Sequence, residues 1–300
     1  MTANRSVRSA PPPLPPLMVQ AAVEAALAED LGLQGDITTN ATVAASARAE
    51  AVIAARKPGV IAGLQLAEAA FRALDPNVRF EAAVSDGASV EKASVAARIS
   101  GNARALLTAE RVALNYMGRL SGIATLTQQY VKAIQGTPAK IADTRKTTPG
   151  LRAFEKYAVR CGGGQNHRTG LFDAVLIKDN HIVAAGGIAE AVIAARAAAG
   201  HMVKIEVEVD TLEQLDEVLQ HKIDAVLLDN MSPDQLRAAV KRVAGRCLTE
   251  ASGGVNLETV RAIAESGVDM ISVGALTHSA SVLDLGLDFL AQPKPRNKSA

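Results

Sequence analysis

Apolar positions change their rhythm near residue 138, and the two halves of the chain predict different architectures. In the first half Val19, Val23, Leu27 and Leu31 recur at helical spacing and predict an opening amphipathic helix. Strand-like runs follow at 50–56, 78–85 and 95–100, with a helical pattern over 64–74. A long apolar-rich helical stretch covers 103–134, interrupted at Ser121-Gly122. Residues 18–135 therefore read as an α/β sandwich domain. In the second half, short apolar runs at 139–143, 174–178, 203–209, 225–229, 247–251 and 270–273 alternate with helical patterns at 151–160, 184–199, 212–219, 233–243 and 257–266. Repeated β-then-α units predict a parallel sheet over 136–280, either open or closed as a barrel. The six strands fall short of the eight that a full barrel needs.

Two further stretches frame these domains. Leu283, Leu285, Leu287 and Phe289 alternate with Asp284, Gly286 and Asp288, a period of two that predicts a closing strand in 281–290. That strand can return to the first domain's sheet. Five prolines between Pro11 and Pro16 mark 1–17 as a disordered or polyproline leader, and 291–300 reads as a disordered tail.

Composition narrows the function. Of 300 residues 48% are hydrophobic and 21% charged, enough for a sizeable core, but aromatics are 3% with no Trp. Alanine and aliphatic side chains must then build that core, and base stacking on single-stranded nucleic acid is disfavoured. The net charge of +1 gives no global basic field for DNA or RNA. Both tails are purely basic (Arg5, Arg8, Lys294, Arg296, Lys298), so the body between them is net acidic. Within that body, residues 143–182 carry seven Lys or Arg against four acids. A positive segment in a negative body points to a small anionic ligand. Cys161 and Cys247 form no metal or disulfide pattern, and neither an 18-residue apolar run nor a signal-peptide core is present. The expectation is a cytoplasmic protein with no membrane or nucleic-acid partner.

Polar residues collect where the predicted strands end, and in a parallel barrel those ends converge on the substrate face. Asp143-Thr144-Arg145-Lys146 follows the first run, Lys178-Asp179-Asn180-His181 the second, and Asp229-Asn230 the fourth. Arg145, Arg168, Lys178 and Lys146 read as a cationic cup, with the glycines before His167 letting the backbone bring His167 and Arg168 near a ligand. Ser252-Gly253-Gly254 and Gly274 suit a phosphate pocket between the last loops, with a helix starting near Asn256. Glu206 and Glu208 share one side of their strand. With Asp229 they suit either ribose hydroxyls or a magnesium-bound ligand. No tight carboxylate–histidine cluster marks a zinc site, and neither a nucleophile elbow nor a P-loop occurs.

These stretches resemble the quinolinate phosphoribosyltransferase family. The matching segments include Gly35-Asp36-Ile37-Thr38-Thr39, Thr108-Ala109-Glu110-Arg111, the run from Asp143 to Leu151 (DTRKTTPGL), the run from Cys161 to Asp173 with its NHR, Glu206 to Asp210, and Val273 to His278. They cover almost everything between the tails. The resemblance implies an N-terminal α/β sandwich plus an incomplete, about seven-stranded parallel α/β barrel. It implies a pentosyltransferase reaction of NAD biosynthesis, in which phosphoribosyl pyrophosphate and quinolinate give nicotinate mononucleotide, pyrophosphate and CO₂. Mg²⁺ would accompany phosphoribosyl pyrophosphate, with no organic cofactor.

The resemblance also implies roles for individual residues. Arg111, Thr144, Arg145, Lys146, His167, Arg168 and Lys178 would bind quinolinate. Lys146, Lys178, Glu208 and Asp229 would serve the ribose, the pyrophosphate and catalysis. Glu208 and Asp229 would also face the metal, directly or through water. Ser252, Gly253, Gly254 and Gly274 would cradle the 5′-phosphate. Arg111 would come from the neighbouring subunit of a homodimer, itself able to assemble further. Rival expectations are a phosphoribosyltransferase for another pyridine or nucleobase and a catalytically silent anion-binding protein.

Overall fold

The computed structural model describes residues 11–290, and the chain within them divides into two compact units. One comprises the chain up to Thr125 together with the segment from Ser281; the other is Leu126–Ala280. The expected disorder of residues 1–10 and 291–300 lies outside the described residues.

The first unit starts with α1 (Pro16–Leu31), which has proline in its first turn, where no backbone donor is needed, and buries Val19, Val23 and Leu27. Not all of 1–17 is a loose leader: Leu14 is buried, and its backbone N–H and carbonyl both bond the Gln65 amide. Next comes α2 (Ile37–Thr42), capped by Asp36 accepting from the Thr39 N–H at 2.8 Å. After it come β1 (Arg48–Ala55), β2 (Gly59–Val60), α3 (Leu64–Leu74), β3 (Arg79–Ala82), β4 (Ser89–Val90) and β5 (Val95–Asn102). The long α4 (Ala103–Ala133) then runs on out of the unit.

The expected break in α4 at Ser121-Gly122 is absent. Ser121 Oγ instead accepts the Ala62 N–H at 2.9 Å and donates back to its carbonyl at 3.2 Å. Gly122 serves close approach, since a Cβ there would lie 1.9 Å from the Ser281 carbonyl oxygen.

The second unit alternates strands and helices. In order these are β6 (Lys140–Ala142), α5 (Arg152–Cys161), β7 (Val175–Ile177), α6 (Asp179–Ala185), α7 (Ile188–Ala198), β8 (Ile205–Val209), α8 (Leu212–Val218), β9 (Ala225–Asp229), α9 (Pro233–Val243), β10 (Leu248–Ser252), α10 (Val260–Ala264), β11 (Met270–Ser272) and α11 (Ala275–His278). Where one helix is expected over 184–199, Gly186 and Gly187 break it and α6 and α7 meet at 92°. Ser232 and Gln235 cap α9 reciprocally, and Thr211 and Gln214 do the same for α8.

All strands of this unit are parallel, in the order β6-β11-β10-β9-β8-β7. The strand count is therefore six among the described residues, not seven. The missing place is taken by a single parallel bridge: Gln165 lies beside β6, donating to the Ile141 carbonyl and accepting from the Asp143 N–H. One residue of ladder is too short to count as a strand. Its consequence is nonetheless large, because it leads directly into Asn166, His167 and Arg168.

The chain finally returns to the first unit. There β12 (Leu285–Phe289) pairs antiparallel with β1, giving a four-stranded sheet in the order β12-β1-β5-β3. Arg56 clamps this return through two hydrogen bonds to Asp288, at 2.9 and 2.6 Å. No single helix among the described residues is long and apolar enough to cross a membrane.

Candidate active site

The C-terminal ends of the six parallel strands surround one cavity of about 380 Å³. Thr144, Arg145 and Lys146 reach it from beyond β6, Lys178 from beyond β7, Glu208 from β8 and Asp229 from β9. Glu250 and Ser252 of β10 and Ser272 of β11 complete the wall, with Leu176 and Leu227 as apolar contacts. His167 and Arg168 enter on the loop after α5. The size and the mixed lining suit a small anionic ligand.

That loop is anchored from below. The Lys156 ammonium on α5 pairs with Asp143 and donates to the His167 carbonyl at 3.0 Å. Asp143 in turn accepts from the His167 N–H at 2.9 Å and from the Asn166 side-chain amide at 2.6 Å. Burial pushes the Asp143 carboxyl up, and the ammonium and these donors counter it only in part. Asp143 is thus the hub that turns the chain so that His167 and Arg168 face the cavity. The strand-end pattern held Asp143 as the start of a polar run, but the sequence offered no signal for Lys156, 13 residues away on a helix.

Around the cavity the cations are unevenly compensated. Lys178 forms an ion pair with Glu208. Arg168 donates to the Ala174 carbonyl at 3.2 Å, and burial together with neighbouring Arg145 holds its guanidinium below the ordinary range. Among the described residues, no acid pairs with Arg145 or Lys146. Arg145 and Lys146, held beside Arg168 without an ion-pair partner of their own among the described residues, favour an anion between them. Asp229 accepts from its neighbour Asn230 at 2.7 Å through one oxygen, and the other takes no hydrogen bond among the described residues. With Glu208 it offers hard carboxylate donors of the type Mg²⁺ prefers.

Under the cations lies an arrangement the sequence reading missed. Reading by spacing found no carboxylate–histidine cluster, yet His167, Glu206 and Glu250 bring their potential ligand atoms within 4.8 Å of one another. They come from a loop and two separate strands, so only the folded sheet assembles them. Glu206 and Glu208 do project on the same side of β8, Glu206 deeper and almost fully buried.

Of the four expected phosphate residues, only Ser252 lines the cavity. Gly253 and Gly254 follow it with φ of 90° and 60°, values that suit glycine. A Cβ on Gly253 would stand 2.1 Å from the Asn230 Oδ1. Gly274 follows β11 and packs against the Lys146 stem. The helix expected near Asn256 begins with a turn capped by the Asn256 side chain, and α10 proper starts at Val260. Arg111 is exposed on α4 in the first unit and is not among the residues lining this cavity.

Comparison with known proteins bears on the whole chain. Residues 36–121 match the family model described as quinolinate phosphoribosyl transferase, N-terminal domain, and residues 123–288 match that for the C-terminal domain. A Bacillus subtilis (strain 168) protein named probable nicotinate-nucleotide pyrophosphorylase (carboxylating) is 48% identical over 260 residues, covering 87% of this chain and 89% of that relative. A Mycobacterium leprae (strain TN) nicotinate-nucleotide pyrophosphorylase (carboxylating) is 48% identical over 274 residues, covering 89% and 95%. The solved nicotinate-nucleotide pyrophosphorylase of Francisella tularensis superposes with a TM-score of 0.89 at 41% identity, covering 93% of this chain and 98% of that one.

Proposed function

Because the chain belongs to the quinolinate phosphoribosyltransferase family, it transfers phosphoribosyl from phosphoribosyl pyrophosphate to quinolinate with decarboxylation, and we propose that both substrates meet in the cavity at the strand ends. The observation that carries the placement is the convergence of Arg145, Lys146, Arg168 and Lys178 on one cavity with Glu208 and Asp229 beside them. Quinolinate is a planar dianion, and Arg145, Arg168 and Lys178 supply charge-assisted donors for its two carboxylates. Thr144, Lys146 and His167 stand close by. Charge attraction alone would accept many acids. The planar forks of two arginines favour carboxylates held in one plane.

In this reading the pyridine nitrogen attacks the anomeric carbon while the bond to pyrophosphate breaks. Positive charge develops on the ribose, and Glu208 and Asp229 stabilise it electrostatically. Lys146 and Lys178 neutralise the departing pyrophosphate. The quaternary nitrogen then draws the electron pair released when the 2-carboxylate leaves as CO₂, and a proton at that carbon completes nicotinate mononucleotide. The protein acts mainly by holding reactants in place and balancing charge. Ser252, Gly253, Gly254 and Gly274 take the 5′-phosphate. Glu208 and Asp229 would hold Mg²⁺ on its ribose and pyrophosphate side, where the ion supplies charge neutralisation of the leaving group.

The working form is a cytoplasmic homodimer in which Arg111 of the partner subunit reaches the quinolinate carboxylates. Arg111 is exposed on α4, as a residue that reaches another subunit must be, which supports that reading. The decisive experiment follows CO₂ release from carboxyl-labelled quinolinate with phosphoribosyl pyrophosphate, with and without Mg²⁺, against nicotinate as the alternative acceptor. Release that needs both Mg²⁺ and phosphoribosyl pyrophosphate, with nicotinate unused, is the expected result. Use of nicotinate, or binding of phosphoribosyl pyrophosphate without pyrophosphate release, would point instead to the two rival expectations.

A further inference from the structure

Arg145 and Arg168 reach the cavity from separate loops, and their guanidinium groups repel each other: burial, and after it the Arg145 charge, holds Arg168 below its ordinary range. Repulsion drives the pair apart, so the gap between them has to be set by the backbone that carries them.

Ties join the two loops on both sides of these cations. On the sheet side, the Asp143 carboxylate accepts the His167 N–H at 2.9 Å. On the other side the tie is Arg152, which opens α5 and does not line the cavity. It donates through Nε to Thr147 Oγ1 at 2.9 Å and through Nη1 to the Thr169 carbonyl at 3.2 Å. Arg145 thus sits midway between pinned residues 143 and 147, and Arg168 between pinned residues 167 and 169.

Both ends of the Arg152 tie are themselves held. The Thr147 N–H donates to the Arg145 carbonyl at 2.9 Å. Thr148 gives its N–H and its hydroxyl to Glu155, at 3.1 and 2.8 Å, and Glu155 is fully buried on α5. On the second loop Asp173 accepts the Thr169 and Gly170 N–H groups at 2.6 and 2.9 Å. Among the described residues Arg152 forms no ion pair, so both of these donors go to neutral oxygens of the loops. A planar fork that reaches two loops at once fixes a spacing, which a flexible ammonium does not.

We propose that Arg152 is a positioning residue that sets the gap between Arg145 and Arg168, and that this gap selects ring acids with carboxylates on adjacent carbons. The proposal rests on the assignment of the cavity to quinolinate, whose two carboxylates are adjacent. Two cations at one fixed separation engage such a pair together, whereas carboxylates one ring position further apart fit only one of them well. Without the tie the loops spread, and the adjacent pair loses its advantage. Charge attraction remains, so the loss falls on discrimination, which is a difference of affinities.

Steady-state kinetics of the full-length enzyme test this, with benzene-1,2-dicarboxylate and benzene-1,3-dicarboxylate as inhibitors competing with quinolinate. In the wild type the 1,2-diacid should bind the more tightly. Arg152→Met keeps an apolar stem and removes both donors. It should raise KM for quinolinate about tenfold with kcat within about threefold, and leave KM for phosphoribosyl pyrophosphate nearly unchanged. The two inhibition constants should come about tenfold closer together. Thr147→Val removes one acceptor while Arg152 stays; it should shift their ratio in the same direction, and it decides the matter if Arg152→Met does not fold. The wild-type inhibitor ratio in these variants, whatever their KM, would leave Arg152 a merely structural role and overturn the proposal. Restoration of the ratio by Arg152→Lys would overturn it too, because positive charge alone would then suffice. A wild type that neither turns over quinolinate nor binds the 1,2-diacid would sink the substrate assignment and the proposal together. One that uses quinolinate while the variants keep its ratio sinks the proposal alone.

Discussion

Lys156 and Asp143 form an ion pair with side chains only 4% and 0% exposed, and the same two residues hold both the amide and the carbonyl of His167. Such a pair adds little net stability when intact, because desolvation offsets the attraction, but breaking it is costly. Lys156→Met leaves a buried carboxylate without its counter-charge. We expect a loss of about 3–5 kcal/mol in urea unfolding. A further drop in kcat/KM should persist in the fraction that remains folded, because Arg168 is no longer aimed. Unfolding midpoints and active-site titration of the same samples separate the two effects.

Arg145→Ala and Arg168→Ala should each lower kcat/KM for quinolinate by roughly 10–100-fold, from charge-assisted hydrogen bonds worth about 1.5–3 kcal/mol. Arg168→Lys should rescue little, since an ammonium cannot reproduce the planar fork. The KM for phosphoribosyl pyrophosphate should move far less. Near-wild-type kinetics in either alanine variant would remove the cup from the mechanism.

Glu208→Gln keeps the shape of the side chain but removes the charge that faces the developing cation on the ribose. Its kcat should fall about 100-fold with the KM for quinolinate changed only slightly. Glu208 also pairs with Lys178, so Lys178→Met should not add its full effect in the double variant. A double-mutant cycle measures that coupling.

Gly253→Ala should raise the KM for phosphoribosyl pyrophosphate and lower stability by about 1–3 kcal/mol. The cause is local: φ is 90°, and the new methyl would collide with Asn230. Gly136→Ala has a similar φ of 85° but open space around it. It should cost stability without changing that KM, which makes it the control.

Stability should also report the Glu250 proton. Burial first, and the Glu206 charge next, hold the carboxyl at about 7 in the folded chain against 4.5 as its ordinary value, so the folded state binds more protons between those limits. Stability from this group is full below pH 4.5, is lost as pH rises towards 7, and levels off above that. The total is on the order of 3 kcal/mol. Glu250→Gln should therefore gain on the wild type between pH 5.5 and 8 in urea unfolding. An unchanged difference across that range would show that Glu250 is ionised throughout.

How far the sequence reached depended on the range of the interaction involved. The strand at 225–229 and the helices at 64–74 and 233–243 were legible to the residue, because periodicity and caps are local. The cationic residues at the strand ends were legible as well, since parallel topology brings such ends together. Ser121-Gly122 misled because small polar residues weaken a helical pattern, while their reason for being there is contact with Ala62 and Ser281. Gly186-Gly187 was the opposite error, a local break overlooked inside an apolar run. Glu250 and Lys156 had no local signature at all, and Glu206 was legible only as the companion of Glu208 on one side of its strand. Their pairing with His167 and Asp143 exists only once separate strands lie side by side.

The return of β12 to the edge of β1 sets an order on biosynthesis. The second unit is inserted within the first, so a ribosome delivers all of its strands before residues 285–289 can complete the earlier sheet. Until then the hydrogen-bonding edge of β1 has no cover, and Arg56 waits for Asp288. A nascent chain stalled near residue 280 would present that open edge to other chains, so premature termination there should yield aggregates instead of a soluble fragment.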